Sequence, residues 1–164
     1  MIIYLKDKHT LIVDDFEFKC CVGKKGKSKR KIEGDKKTPI GLFGVENLYY
    51  RSDRITKPQT KLRCVKINKK MGWCDDVNSS KYYNKLVKNK NKIKQEKLYR
   101  KDNKYDLIIP IKYNFSKPIK SKGSCIFIHL TKNYSPTAGC IALSKKDFLI
   151  MLKLIDNKTK INIY

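Results

Sequence analysis

The sequence predicts a mostly-β single domain over residues 1–164, with one clear helix near its C-terminal end. Three observations predict it. Short apolar runs of strand length recur along the chain, several of them alternating with period two. Only the segment after Ser144 carries the i, i+3, i+4, i+7 stripe of an amphipathic helix. The 164 residues are 40% apolar, enough for one core, and neither an internal repeat nor a linker divides them.

Residues 2–5, 11–13 and 16–22 read as short strands. In the third, Phe16, Phe18, Cys20 and Val22 share one face while Glu17, Lys19 and Cys21 share the other. Residues 23–39 form a polar, Gly- and Lys-rich loop, and 40–45 resume apolar character. Residues 50–80 are turn-rich, with a short strand at 64–67 and a Gly72-Trp73-Cys74-Asp75-Asp76 cluster. The Lys/Asn-rich tract 85–97 reads as a mobile loop or a surface helix. Residues 105–113 and 125–130 are the strongest strands. In the second, Cys125, Phe127 and His129 share a face opposite Ile126, Ile128 and Leu130. A turn at 131–139 leads to a short strand at 140–143. Ser144 then reads as a helix N-cap with Asp147 three residues on, and Phe148, Met151, Leu152 and Ile155 form the buried stripe. Residues 160–164 supply a last strand.

The formal net charge is +24, from 39 basic and 15 acidic residues. Of the basic residues only Arg30, Arg51, Arg54, Arg63 and Arg100 are Arg. Specific readers of nucleic acid lean on the planar Arg fork, whereas these Lys are scattered through every segment. The balance therefore reads as a solvated Lys surface, with nonspecific polyanion binding at low salt and no specific nucleic-acid partner. No run approaches the length of a transmembrane helix. Residues 1–6 are too short for a signal-peptide core and lack a cleavage site, so the chain is expected in the cytosol unless a targeting segment lies outside it.

The six Cys include no Cys-x-x-Cys pair, and neither His has zinc-finger spacing, so no metal or cofactor is expected. Cys20, Cys21 and Cys125 read as buried thiols, and Cys74 as a packed one. Cys140 differs. It follows Gly139 and opens an apolar run eleven residues after His129. A nucleophilic thiol needs a neighbouring base, because an unperturbed thiol is mostly protonated at neutral pH. His9 lies in a polar turn, which leaves His129 as the candidate base. A glycine before the nucleophile permits close backbone approach, and the amides of Gly139 and Cys140 could form an oxyanion hole. A hydrogen-bonded core histidine is the competing reading of His129.

These residues resemble the catalytic region of the L,D-transpeptidases, the YkuD-like family. Ile128-His129-Leu130, then Ser135-Pro136-Thr137-Ala138-Gly139-Cys140-Ile141-Ala142-Leu143, then a helix with Asp147 carry the likeness. One branch of the family also matches upstream at Lys31-Ile32-Glu33-Gly34-Asp35-Lys36-Lys37-Thr38-Pro39-Ile40-Gly41. Tyr50-Arg51-Ser52-Asp53-Arg54, Gly72-Trp73-Cys74-Asp75-Asp76, Tyr105-Asp106-Leu107 and Gly123-Ser124-Cys125-Ile126-Phe127-Ile128-His129 follow in the same order. Two departures stand out. Ala138 replaces the second His of the common Ser/Thr-His-Gly-Cys motif, and Ala142 replaces the usual Arg after the Cys.

The resemblance implies a YkuD-like β-sandwich with one or two short helices, and an acyltransferase working on peptidoglycan stem peptides without a cofactor. Cys140 would attack the L,D-peptide bond, His129 would carry the proton, and a thioester would pass to an amine. Water or a D-amino acid as acceptor would make the enzyme a carboxypeptidase or an exchange enzyme. The resemblance implies the periplasm or cell envelope as workplace. Ser135, Thr137, Tyr113, Asn114, Trp73 and Arg54 are the candidates for substrate contact. For Trp73 the competing reading is a buried ring, and for Arg54 a structural ion pair. Two further function classes stand beside the enzyme: a basic polyanion-binding module with an inert Cys140, and a family member that binds peptidoglycan without catalysis.

Overall fold

The computed structural model describes residues 1–89 and 92–164. Its strands are β1 (Ile2–Leu5), β2 (Thr10–Val13), β3 (Phe16–Cys21), β4 (Lys27–Ser28), β5 (Thr38–Pro39), β6 (Gly41–Gly44), β7 (Leu48–Tyr50) and β8 (Cys64–Lys66). They continue as β9 (Met71–Cys74), β10 (Leu86–Lys88), β11 (Gln95–Lys97), β12 (Leu107–Pro110), β13 (Phe127–Leu130), β14 (Ile141–Leu143) and β15 (Lys160–Ile163), with helix α1 (Lys145–Leu154) between the last two. The mostly-β expectation holds, and α1 is the one helix among the described residues.

Ten strands form one sheet in the order β6-β15-β1-β2-β3-β14-β13-β12-β7-β8. The first three strands make an antiparallel meander. The strand β15 runs parallel to β1, with Ile2 opposite Lys160. The pair that carries His129 and leads out of Cys140 is β13 and β14. They run parallel, with Ile128 opposite Ile141 and His129 opposite Ala142.

Strand alternation gives β13 two different faces. Ile128 and Leu130 join Ile141, Leu143 and the meander residues Ile3, Leu5, Leu11, Val13, Phe18 and Cys20 in the larger core. The helix α1 supplies Phe148, Met151 and Leu152 to the same core, and Ile155 at its C-cap joins them. Its start is capped as the sequence indicates: the Ser144 side chain accepts the Asp147 amide at 3.1 Å. Phe127 and Cys140 face the other way, into a second cluster with Tyr49, Trp73, Tyr105 and Ile108.

The tract 85–97 is neither a surface helix nor a plain loop. Its described part supplies β10 and β11, which flank β9 on both sides, while the expectation for residues 90 and 91 lies outside the described residues. The strand β9 carries Trp73, whose ring meets Phe127 edge-on at 5.5 Å and Tyr49 at 6.3 Å.

Asn84 fastens this small sheet to the large one. Its side-chain oxygen accepts Trp73 Nε1–H at 2.9 Å and the Cys125 amide at 3.1 Å. Its side-chain nitrogen donates to the carbonyls of Tyr113 at 3.1 Å and Asn114 at 2.7 Å. All four of its hydrogen-bonding positions are therefore used in a buried site. Asn84→Ala leaves a buried indole N–H and an amide without partners, so it is expected to cost about 2–4 kcal/mol. Urea unfolding, comparing the midpoint at constant slope, measures that loss.

Candidate active site

Cys140 lies just before β14, and the β13–β14 register continued one step back sets it beside Phe127. The Phe127 amide donates to Cys140 Sγ at 3.4 Å, and the thiol donates to the Cys125 carbonyl at 3.2 Å. Two residues further along each strand, His129 sits opposite Ala142 on the same face. The sheet thus brings the candidate nucleophile and the candidate base to one face of neighbouring strands. No hydrogen bond joins them among the described residues; each is bonded to a backbone group instead.

His129 Nδ1 lies 2.9 Å from the Leu130 carbonyl. A carbonyl only accepts, so Nδ1 carries the proton and Nε2 is left as the acceptor. Burial lowers the imidazole to about 4, and burial likewise pushes the Cys140 thiol up to about 12. Both groups therefore rest in their neutral forms at pH 7. Cys125 is also pushed well up by burial.

The turn before Cys140 is tightly specified. Gly139 has φ +139, a region side chains rarely occupy, and an added Cβ would stand 2.8 Å from the Lys37 carbonyl oxygen. Thr137 pins the turn: its hydroxyl donates to the Cys140 carbonyl at 2.6 Å and accepts the Gly139 amide at 3.1 Å. In this arrangement the Gly139 amide is engaged internally, so it is not free for the oxyanion hole that the sequence pattern raised.

Two clefts open at the site. One of about 420 Å³ is lined by His129, Ser135, Thr137, Ala142, Asp106 and Lys104, among others. A second of about 570 Å³ is lined by Cys140, Ala138, Cys125, Tyr105, Glu33 and Asp75, among others. Tyr105 lines the second cleft, and its ring lies 5.4 Å from that of His129, which lines the first.

The remaining candidates lie away from these walls. Trp73 is buried in the aromatic cluster, with its N–H given to Asn84. Arg54 pairs with Asp106 at 3.0 Å and donates to the carbonyls of Lys101 and Asp102. The Tyr113 hydroxyl donates to the Lys122 carbonyl, and the Asn114 side chain closes the same loop onto Ile119 and Gly123. Sequence reasoning passed over Glu33, Tyr105 and Asn84. The first two stand inside quoted motif segments, whereas Asn84 sits in a Lys/Asn-rich tract with no local signal.

No group of three His, Cys, Asp or Glu side chains placed to hold a metal occurs among the described residues. No helix there is long and apolar enough to cross a membrane.

The family model YkuD, the L,D-transpeptidase catalytic domain, matches residues 1–163. The crystal structure of the helical cell shape determining protein Pgp2 from Campylobacter jejuni is similar, with TM-score 0.52 and 18% identity over 99% of this chain and 46% of that one. The chain thus spans less than half the length of Pgp2, and at that identity the likeness is one of fold. Mycobacterium tuberculosis L,D-transpeptidase 1 aligns at TM-score 0.36 and 13% identity, over 99% of this chain and 59% of that one. No curated protein matches the chain.

A neutral buried imidazole makes stability depend on pH. The folded state holds His129 near 4 while an unfolded chain holds it at 6.5, so acid protonates the unfolded state first. Stability is expected to be full above pH 6.5 and to fall progressively towards pH 4, by up to about 3 kcal/mol. Parallel urea unfolding of wild type and His129→Gln checks it: the difference between them should shift against wild type across that window.

Proposed function

We propose, for a chain that belongs to the YkuD family of L,D-transpeptidase catalytic domains, that Cys140 is the nucleophile of a two-step acyl transfer on peptidoglycan stem peptides. The observation that carries this reading is the β13–β14 pairing. It puts His129 and Cys140 on one face of adjacent parallel strands, each at the wall of a cleft.

In the first step Cys140 Sγ attacks the carbonyl carbon of the bond between an L-centre and the terminal D-amino acid. The thiol proton goes to His129 Nε2, the ring nitrogen that the Leu130 carbonyl leaves free. The imidazolium returns that proton to the departing amine, and a thioester remains on Sγ. In the second step an amine of another stem attacks the thioester, its proton passes to Nε2, and the thiol is regenerated. With an amine acceptor the product is a cross-link or an exchanged D-amino acid; with water it is a trimmed stem.

The two groups do not form an ion pair at rest, since burial holds both neutral. The S–H bond must therefore swing from the Cys125 carbonyl towards His129 when substrate fills the cleft. Positioning and timing of that proton carry the rate, rather than a standing thiolate. The resting thiol of the polyanion-module reading would have no such use, and the Lys residues are scattered through every segment of the sequence. Such a substrate places the site of action in the cell envelope.

Intact-mass spectrometry after incubation with a tetrapeptide stem at pH 7 tests the reading. Wild type should gain one acyl adduct, Cys140→Ala none, and His129→Ala should acylate about 10²–10⁴-fold more slowly. An adduct retained in Cys140→Ala, or an unchanged rate in His129→Ala, would overturn it. Chromatography of the products then separates dimer from trimmed monomer.

A further inference from the structure

The chain has only 15 acidic residues against 39 basic ones, yet three carboxylates, Glu33, Asp75 and Glu96, line the cleft that holds Cys140. Their partners differ. Glu96 is met by Arg100 at 2.9 Å, and Asp75 by Lys94 at 3.5 Å. Glu33 has no cation in contact among the described residues.

The cation nearest to it in sequence is already committed. Lys31 Nζ donates to Asp35 at 2.6 Å and to the Ile32 carbonyl at 3.2 Å, with its side chain buried. The Glu33 carboxylate is instead held by hydroxyls. Its Oε2 accepts the Tyr83 hydroxyl at 2.5 Å and the Ser124 hydroxyl at 2.7 Å. Tyr83 is itself fixed, since its oxygen accepts the Gly123 amide at 3.1 Å. The second oxygen, Oε1, takes no hydrogen bond from the described residues.

A carboxylate that is oriented by two neutral donors, half-buried and without a counter-ion is an electrostatic vacancy for a cation. Ser124 and Glu33 meet across 91 residues of sequence, so this orientation is a product of the fold rather than of a local turn. We infer that Glu33 is a specificity-determining residue, and that its free oxygen in the Cys140 cleft takes a primary ammonium group carried by the stem peptides. This rests on the Cys140 reading and adds to it the charge of the preferred substrate. The ammonium can come from a side-chain amine of the acyl donor or from the amino group of the acceptor.

The test uses the full chain and two synthetic tetrapeptide donors, alike except that the third residue carries a free side-chain amine in one and its acetylated form in the other. The readout is the ratio of their acylation efficiencies, kcat/KM, by intact mass. Wild type should favour the free amine at least tenfold, and Glu33→Gln should bring the ratio below about twofold. A merely structural role lowers both donors alike and keeps the ratio, which would overturn the inference. A second arm uses the acetylated donor and varies the acceptor amine. A loss in Glu33→Gln confined to that arm assigns the ammonium to the acceptor, and unchanged ratios in both arms overturn the site. If neither donor acylates wild type, the Cys140 reading fails instead. The affinities of the two peptides for wild type and Glu33→Gln, measured by calorimetry, then decide the ammonium preference on their own.

Discussion

The parallel pairing of β13 with β14 is the constraint on which the rest of the site depends. Two parallel strands adjacent in sequence need a crossover, normally a dozen or more residues and usually a helix. Here residues 131–140 make it without one, which is possible because the end of β3 serves as a template. The Thr137 amide donates to the Val22 carbonyl, the Lys24 amide donates back to the Thr137 carbonyl, and the Cys21 thiol donates to the Ser135 carbonyl. The N-terminal meander therefore fixes where Cys140 begins, although it contributes no candidate catalytic side chain. The loop 23–39 adds the Lys37 carbonyl, against which only a glycine fits at position 139.

Burial decides the protonic state of the pair. Ionising a thiol held near 12 costs about 7 kcal/mol at pH 7, more than a partly solvated neighbouring charge supplies. The same desolvation that keeps the thiol protonated would strengthen every dipole acting on a charge that develops during reaction. The site is thus quiet at rest. Trp73, Phe127 and Tyr105 pack with Cys140 in one apolar cluster, and Asn84 ties Trp73 to the segment that leads into β13.

Much of this was legible in the sequence, and what was not has a physical cause. Alternation alone put Phe127 and His129 on one face, although the strand begins at Phe127 and Cys125, with φ +55, stands outside it, and the i, i+3, i+4 stripe with Ser144 located α1. The strand β11 was hidden because Gln95, Glu96 and Lys97 are all polar, and β10 because its apolar pair Leu86-Val87 is too short to show a period; both pair with β9, which buries Trp73. The parts played by Glu33 and Asn84 come from contacts far apart in sequence, such as Ser124 on Glu33 and Cys125 on Asn84, which no local pattern encodes. The polar groups of Arg54, Tyr113, Asn114 and Trp73 are spent on internal partners, a fate that residue type does not reveal.

The place of β15 has a consequence for how the chain reaches this state. It lies inside the large sheet, between β1 and β6, with Ile161 opposite both Ile3 and Phe43. Residues 2 and 160 are register partners, so closing that ladder joins segments from opposite ends of the sequence. Loop closure of that span precedes its reward, which makes the ladder a late and slow event. Until residues 160–163 have been made, the meander waits with the outer edge of β1 at Ile3 and Leu5 unpaired. The template that later positions Cys140 is therefore complete only after Cys140 itself has been made.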